Sequence, residues 1–299
     1  MGTHAVLLQK VTMTRRITKG RCLRAPAVLA TLLAAAIPAP ARGQGSALIP
    51  MEVLPDEPAS GTAWSFAPGE TSTYSVAFGR FKLGEARLSV QDIETIDGRE
   101  VVRTSLQVEG GPPFYRIEND FSSWIDTGRF RSIRFERRIR EGPRRLRDRY
   151  ELDPVAGVFT AESWSEELES YEPSRFEDGG PMPEDAIDEI AFLFLVRTLI
   201  LDPGDESRME RYFKPQSNPI SVRVLGREEI RVPAGRFKTI VVEPIIPELE
   251  VFRADRKPRV WISDDERRII VKVQTNATIG AVALNLTDYD AGEALAVVP

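Results

Sequence analysis

The feature that most constrains this chain is an alternation of apolar and polar residues with period two, which sets in at Thr71 and runs, with one break, into the C-terminal region. Successive side chains of an extended strand point to opposite faces, so such a run reads as a half-buried strand of an antiparallel sheet. Tyr74, Val76 and Phe78 share one face. Ala86, Leu88 and Val90 do so against Glu85, Arg87, Ser89 and Gln91, and Val102, Thr104, Leu106 and Val108 repeat the pattern. Asp97-Gly98 between the last two runs is a two-residue hairpin signal, since both residues tolerate the left-handed backbone that such a turn needs. Further strands are predicted over 114–125, 129–140, 144–152 and 155–161. The C-terminal third adds 219–225, 227–232, 236–244, 257–263, 268–275 and 279–288. Pro233-Ala-Gly235 suits a tight connection because Pro fixes φ and Gly accepts a left-handed conformation, and Ser263-Asp-Asp-Glu266 suits another because Asp bonds its own backbone.

The break is Pro183-Glu-Asp-Ala-Ile-Asp-Glu189, followed by Ile190-Ala-Phe-Leu-Phe-Leu-Val196 and Arg197-Thr-Leu-Ile-Leu201, and stopped by Asp202-Pro203-Gly204. Carboxylates ahead of an apolar run fit the first turn of a helix, where the dipole favours them. A helix apolar on nearly every side is a buried one. Arg197 within it needs a carboxylate partner if it is buried. The expected fold is therefore mainly β, an antiparallel, strongly curved sheet or half-barrel closing on one buried helix at about 184–200.

The N-terminus has a different character. Basic residues from Lys10 to Arg24 precede the apolar stretch Ala25–Ile37, and the small residues Ala39-Pro40-Ala41 follow. That order is a secretory signal peptide cleaved after Ala41, and the apolar run is well short of the ~20 residues of a membrane span. The expected organisation is a signal peptide at 1–41, a flexible lead-in rich in Pro, Gly, Ser and Ala at 42–70, one β-rich domain at 71–290 and a tail at 291–299. The mature protein is expected to be soluble and periplasmic or extracellular. Cleavage would remove His4 and Cys22, the sole His and Cys, together with six basic residues and no acidic one. The remainder then carries 34 basic and 45 acidic residues, a net charge of −11.

Val232-Pro-Ala-Gly-Arg-Phe-Lys-Thr239, Arg259-Val-Trp-Ile-Ser-Asp-Asp-Glu-Arg-Arg268 and Lys272-Val-Gln-Thr-Asn-Ala-Thr-Ile-Gly280 resemble the bacterial domain of unknown function 3108 family. Tyr74-Ser-Val-Ala-Phe-Gly79 with Leu83-Gly84 is similar to that family's first hairpin, so the resemblance spans about residues 71–290. It implies an exported, β-rich protein without an assigned activity, and it offers no catalytic residues to carry over.

Without His or Cys, zinc, copper and iron sites lose their usual ligands, and Ser or Cys nucleophiles lose their usual base or themselves. No Ser-x-x-Lys occurs, and Asp264-Asp265-Glu266 lacks the spaced ligands of a calcium loop. No cofactor or metal is expected, and the protein is read as non-catalytic. A carboxylate-dependent hydrolase is kept as an alternative, since paired carboxyl groups need neither residue.

The charge pattern points elsewhere. From Arg129 to Arg149 there are ten arginines and only Glu136, Glu141 and Asp148 against them. A hairpin turning at Glu141-Gly142-Pro143 places Arg138, Arg140, Arg145 and Arg147 on one outer face, where like charges opposite one another repel. Such a ribbon wants an anionic neighbour. Residues 162–189, with eleven acidic residues against Arg175, are the internal candidate. The external candidates are an envelope lipid, an anionic glycan or an acidic envelope protein, all matched to the planar guanidinium fork. Nucleic acid is not expected for an exported acidic protein. Phe114, Tyr115, Phe121, Trp124, Phe130 and Phe135, with Phe192 and Phe194, are read mainly as core, or else as the wall of an apolar pocket. The expected function is that of an exported binding protein for a lipid or other apolar or anionic envelope ligand. The alternative is a protein-interaction module.

Overall fold

The computed structural model describes residues 64–112, 114–175, 177–199, 201–276 and 281–292. The signal peptide, most of the lead-in, the start of the last predicted strand and most of the tail lie outside the described residues.

The alternation does produce strands. The first half contributes β1 (Thr71–Phe78), β2 (Phe81–Ile96), β3 (Arg99–Gly110), β4 (Ile117–Asp126), β5 (Arg131–Glu141) and β6 (Arg144–Asp153). β7 (Val158–Ser165), β8 (Ser170–Pro173) and the two-residue β9 (Gly180–Pro181) follow, and then the helix α1 (Glu189–Thr198). The second half contributes β10 (Glu206–Met209), β11 (Ile220–Val232), β12 (Gly235–Ile245), β13 (Arg259–Ser263), β14 (Ile270–Asn276) and β15 (Ala281–Asp290).

All fifteen strands belong to one antiparallel sheet in the order β10-β11-β12-β13-β14-β15-β1-β2-β3-β4-β5-β6-β7-β8, with β9 on the far part of β7. The sheet is not closed. Its ends are the short strands β8 and β10, and a seam lies between them. Both edge strands are only four residues long, which limits the exposed hydrogen-bonding rim. Asp97 and Gly98 both take positive φ, 49° and 75°, and Ile96 faces Arg99, as the hairpin signal required. The two strands predicted over 219–232 are one strand, β11, whose register slips between Val224 and Gly226 as β-bulges do.

Inward-facing residues form one core in which Tyr74, Phe121, Phe135, Tyr150, Phe213 and the helix residues Phe192 and Phe194 are almost wholly buried. Each such side chain is worth roughly 1.5–3 kcal/mol of burial. The rings of Phe135, Tyr150, Phe159 and Phe213 pack on one another with centroids 5.2–6.4 Å apart, so this aromatic group is core packing.

The helix is shorter than predicted. Only Glu189 of the acidic lead lies in its first turn, and Asp188 is the N-cap, accepting from the N–H groups of Ile190 and Ala191. Ile187 cannot be helical because its backbone is used elsewhere: its N–H donates to Arg211 and its carbonyl accepts from Phe213. This bridge of Ile187 to Tyr212, parallel in sense, ties the two sides of the seam together.

The lead-in also ends earlier than predicted, because residues 64–70 dock on the helix. Phe66 is buried with its ring 4.8 Å from that of Phe194, and Glu70 binds Arg197. Arg197 donates to both oxygens of Glu70 at 2.6 and 3.0 Å and to the carbonyls of Ser65 and Arg267. The carboxylate that a buried Arg197 demands is thus supplied from immediately before β1.

Candidate functional site

The register of β5 and β6 is the one the sequence implies. Arg138 faces Arg147 and Arg140 faces Arg145 across the pair, and all four are exposed on the outer surface. Their surroundings differ from the expectation. Residues 162–189 do not fold over the ribbon, because 158–165 and 170–173 continue the sheet as β7 and β8. Glu166, Glu167 and Glu169 therefore lie in the turn between these strands. Counter-charge comes from the opposite neighbour, β4. Asp120 sits opposite Arg138 and accepts from it at 2.6 and 2.9 Å, and Glu118 sits opposite Arg140 at 3.6 Å. From the acidic segment Glu162 reaches the ribbon, 3.7 Å from Arg149.

The far side of the ribbon is aromatic. The Arg147 guanidinium lies 4.1 Å from the ring centre of Trp164 and donates to the Tyr171 hydroxyl at 2.9 Å, and Arg149 lies 3.8 Å from the Tyr171 ring. The Trp164 and Tyr171 rings meet edge to face at 5.3 Å, because the two residues are directly paired across β7 and β8. Arg145 donates to the carbonyls of Gly142 and Arg144. Among the described residues neither Arg145 nor Arg147 has a carboxylate partner. The ribbon therefore has one neutralised edge, Arg138 and Arg140, and one edge, Arg145 and Arg147, whose cations rest on carbonyls, ring faces and the Tyr171 hydroxyl. Rings hold a guanidinium flat, and with Nε given to Tyr171 the terminal N–H groups of Arg147 are left for an oxyanion.

A second polar group lies on the inner face beneath the ribbon. Arg137 and Asp148 are buried and paired at 2.9 Å, and Ser163 donates to the same carboxylate. Lys214, between β10 and β11, is bound to Glu177, between β8 and β9, at 2.7 Å, and the Tyr150 hydroxyl donates to Glu177 as well. Burial pushes the Lys214 amine down and the Tyr150 hydroxyl up. Glu189 at the helix start is buried with one carboxylate oxygen lacking a hydrogen-bond partner. The Lys214–Glu177 pair crosses the seam, so this group joins the two ends of the open sheet. The parity of β5 and β6 already marks Arg137 and Asp148, which are in phase with Phe135 and Tyr150. Lys214 and Glu177 lie in irregular segments, where no period marks them.

The other sequence candidates resolve as local structure. Asp265 accepts from Ser263 and from the N–H groups of Arg267 and Arg268, and Asp264 pairs with Arg227. That is a turn held by its own backbone. Of the aromatic group, Phe121, Phe135, Phe192 and Phe194 are core, whereas Trp124 packs on the outer surface with Val101 and Ile133. Phe114 is fully outside the core, with 83 % of its surface exposed.

These observations define a mainly β protein: a single antiparallel meander, open at one seam, wrapped on one buried helix. Residues 73–287 match the family of proteins of unknown function DUF3108, and the chain belongs to that family. No curated protein matches it. Among solved structures it is similar to a β-barrel-like protein of the domain of unknown function DUF1849 from Brucella abortus. That match has a TM-score of 0.48 and 8 % identity and covers 76 % of this chain and 99 % of that one. It is also similar to a candidate lipoprotein from Parabacteroides distasonis, with a TM-score of 0.31, 10 % identity and coverage of 76 % and 99 %. A candidate exported protein with a YmcC-like fold from Bacteroides fragilis matches with a TM-score of 0.27, 12 % identity and coverage of 76 % and 98 %.

Proposed function

We propose that this protein is an exported, non-catalytic binding protein of the cell envelope that recognises an anionic component through the outer face of β5 to β8. The observation that carries the reading is the uncompensated edge of the ribbon. Arg145 and Arg147 stand opposite two cations and have no carboxylate of their own among the described residues, and Arg147 lies against the Trp164–Tyr171 ring pair. Like charges across a strand pair destabilise it, and an oxyanion bridging the pair would relieve that repulsion. The basic lead, apolar stretch and small residues before Arg42 support export. The packed rings of Phe135, Tyr150, Phe159 and Phe213 favour the outer face over an interior acyl pocket in this part of the core.

A sulfated heparin oligosaccharide serves as the probe, titrated by isothermal calorimetry and by the fluorescence of Trp164. Binding should weaken with salt and fall at least about tenfold in Arg138→Gln with Arg147→Gln, since each lost charged hydrogen bond is worth more than that factor. A wild-type protein that ignores the probe, or a double variant that binds it equally, would overturn the proposal.

A further inference from the structure

The two most exposed phenylalanines among the described residues are Phe114, at 83 %, and Phe81, at 60 %. They lie on neighbouring tips at one end of the sheet. Phe81 opens β2 after the turn at Gly79-Arg80, and Phe114 lies in the loop between β3 and β4. The two tips are joined where the N–H of Gly111 donates to Leu83 at 2.8 Å, just beyond the facing pair Gly84 and Gly110. The loop carrying Phe114 also touches the β5–β6 turn. Gly142 donates to the Arg116 carbonyl at 2.9 Å, and the Tyr115 ring lies directly against Gly142. Three turns therefore stand in a row, presenting two bare rings outward.

Cations surround the rings. Arg80 lies 5.5 Å from the Phe81 ring centre, and among the described residues neither Arg80 nor Lys82 makes an ion pair. Arg116 is 79 % exposed beside Phe114 and pairs with Glu118, and Arg144 and Arg145 follow the third turn. Glu141, the acidic residue of that turn, is buried beneath Arg144 and bound to Asn119. Glu85 and Glu109, exposed and facing one another, lie one position behind Gly84 and Gly110, so Arg80, Lys82 and Arg116 are the charges nearest the two rings.

We infer that this end of the sheet docks on an anionic lipid bilayer, with Phe81 and Phe114 entering the headgroup boundary and Arg80, Lys82, Arg116 and Arg144 meeting the phosphates. Exposed rings cost solubility unless a partner covers them, and rings interleaved with cations match the apolar and anionic layers of a bilayer surface in order of depth. A planar partner also meets all three turns at once. This surface is distinct from the ribbon's aromatic edge at Trp164 and Tyr171.

Flotation with vesicles tests it, using phosphatidylcholine alone and phosphatidylcholine mixed with phosphatidylglycerol. The wild-type protein should float with the mixed vesicles and lose that binding in high salt. Phe81→Ser with Phe114→Ser should lower binding about a hundredfold or more, the factor expected for withdrawing two buried rings. Arg80→Gln with Arg116→Gln should abolish the preference for phosphatidylglycerol. All four substitutions are at exposed positions, and an unchanged melting temperature confirms that the fold is intact. In Phe114→Trp the indole emission should shift to the blue on vesicle binding. A wild-type protein that floats with neither vesicle, or a double phenylalanine variant that floats like wild type, overturns the inference. So does a dimer in sedimentation velocity that the double variant alone abolishes, since the rings would then face a second copy. Arg138→Gln with Arg147→Gln should leave flotation unchanged, and the phenylalanine variant should leave heparin binding unchanged, so this inference and the ribbon proposal fail separately.

Discussion

Replacing Asp188 by Asn should make the protein less stable in acid and more stable above neutrality. The Asp188 side chain is wholly buried at the helix N-terminus. One oxygen accepts from Ile190 and Ala191 at 2.8 and 2.9 Å, and the other accepts from the hydroxyls of Ser123 and Ser132 at 2.5 and 2.7 Å. Burial, and then the adjacent Glu189 charge, push its carboxyl from 3.8 up to about 7, against the pull of those donors. A carboxyl raised in the folded state keeps a proton that the unfolded chain releases. Its stabilising effect is complete below the unfolded value near pH 4 and is lost as pH rises through the folded value near 7. At about 1.4 kcal/mol per pH unit, that rise removes about 4 kcal/mol between pH 4 and pH 7 and nothing further above it. Asn keeps the cap acceptor and never titrates, but its amide must donate to two hydroxyls, which costs about 1–2 kcal/mol in mismatched hydrogen bonds. The difference between variant and wild type therefore starts at about −1 to −2 kcal/mol at pH 4 and reverses to about +2 above pH 7. Urea unfolding followed by tryptophan fluorescence from pH 4 to 8 measures it. The raised carboxyls of Glu141 and Glu151 are present in both proteins and cancel in the difference. An equal loss of about 3 kcal/mol or more at pH 5 and pH 8 would refute the argument. It would mean that the four donors keep Asp188 ionised despite its burial.

Glu70→Gln should cost about 3–5 kcal/mol in the same assay, because it strands the buried Arg197 charge, and Glu70→Leu with Arg197→Met should cost much less than the sum of the single losses. Lys214→Met should be better tolerated than Glu177→Gln: the latter leaves a buried ammonium beside Tyr150 without its carboxylate, and hydrogen exchange at β8 and β10 should report which variant loosens the seam. Gly142→Ala should destabilise more than Gly79→Ala. Both glycines have positive φ, 54° and 57°, and share a backbone cost of about 1 kcal/mol, but only at Gly142 would the new methyl meet a ring, 2.5 Å from Tyr115.

Much of this architecture was readable because the sheet is two-faced. Where one face meets the core and the other meets water, as along β2, β5 and β6, parity states which side chains are buried and which meet across a pair. Arg138 and Arg147 could be placed opposite one another for that reason. Parity is silent about neighbours that are not consecutive in the chain. It named Arg197 as needing an anion but could not point to Glu70, over a hundred positions away. It assigned the ribbon's counter-charge to the next acidic segment, whereas pairing in the sheet brought up Asp120 and Glu118 from the preceding strand. The edge strands β8, β9 and β10 span four, two and four residues, too short for an alternation to stand out. The helix start was misplaced because Pro183–Ile187 has the composition of a first turn while its backbone is committed to crossing the seam. Phe114 was grouped with the core on composition, since a loop has no period from which to learn that its ring points outward.

Along the main path of the sheet, every pairing but one joins strands consecutive in the chain; the exception is β15 with β1, where Thr71 faces Asp290. Almost all of the sheet is therefore local in sequence, and the entropy of closing one very long loop is concentrated in a single junction at its middle. Until that junction forms, the two halves are separate meanders, each with a long unpaired border strand. Joining the termini and cutting at Pro203 would turn the molecule into a meander read straight from β10 to β8, with no long-range closure along that path. The first and last strands of the sheet in sequence, β1 and β15, lie side by side in its interior, so their meeting is the one long-range step that joins its two halves.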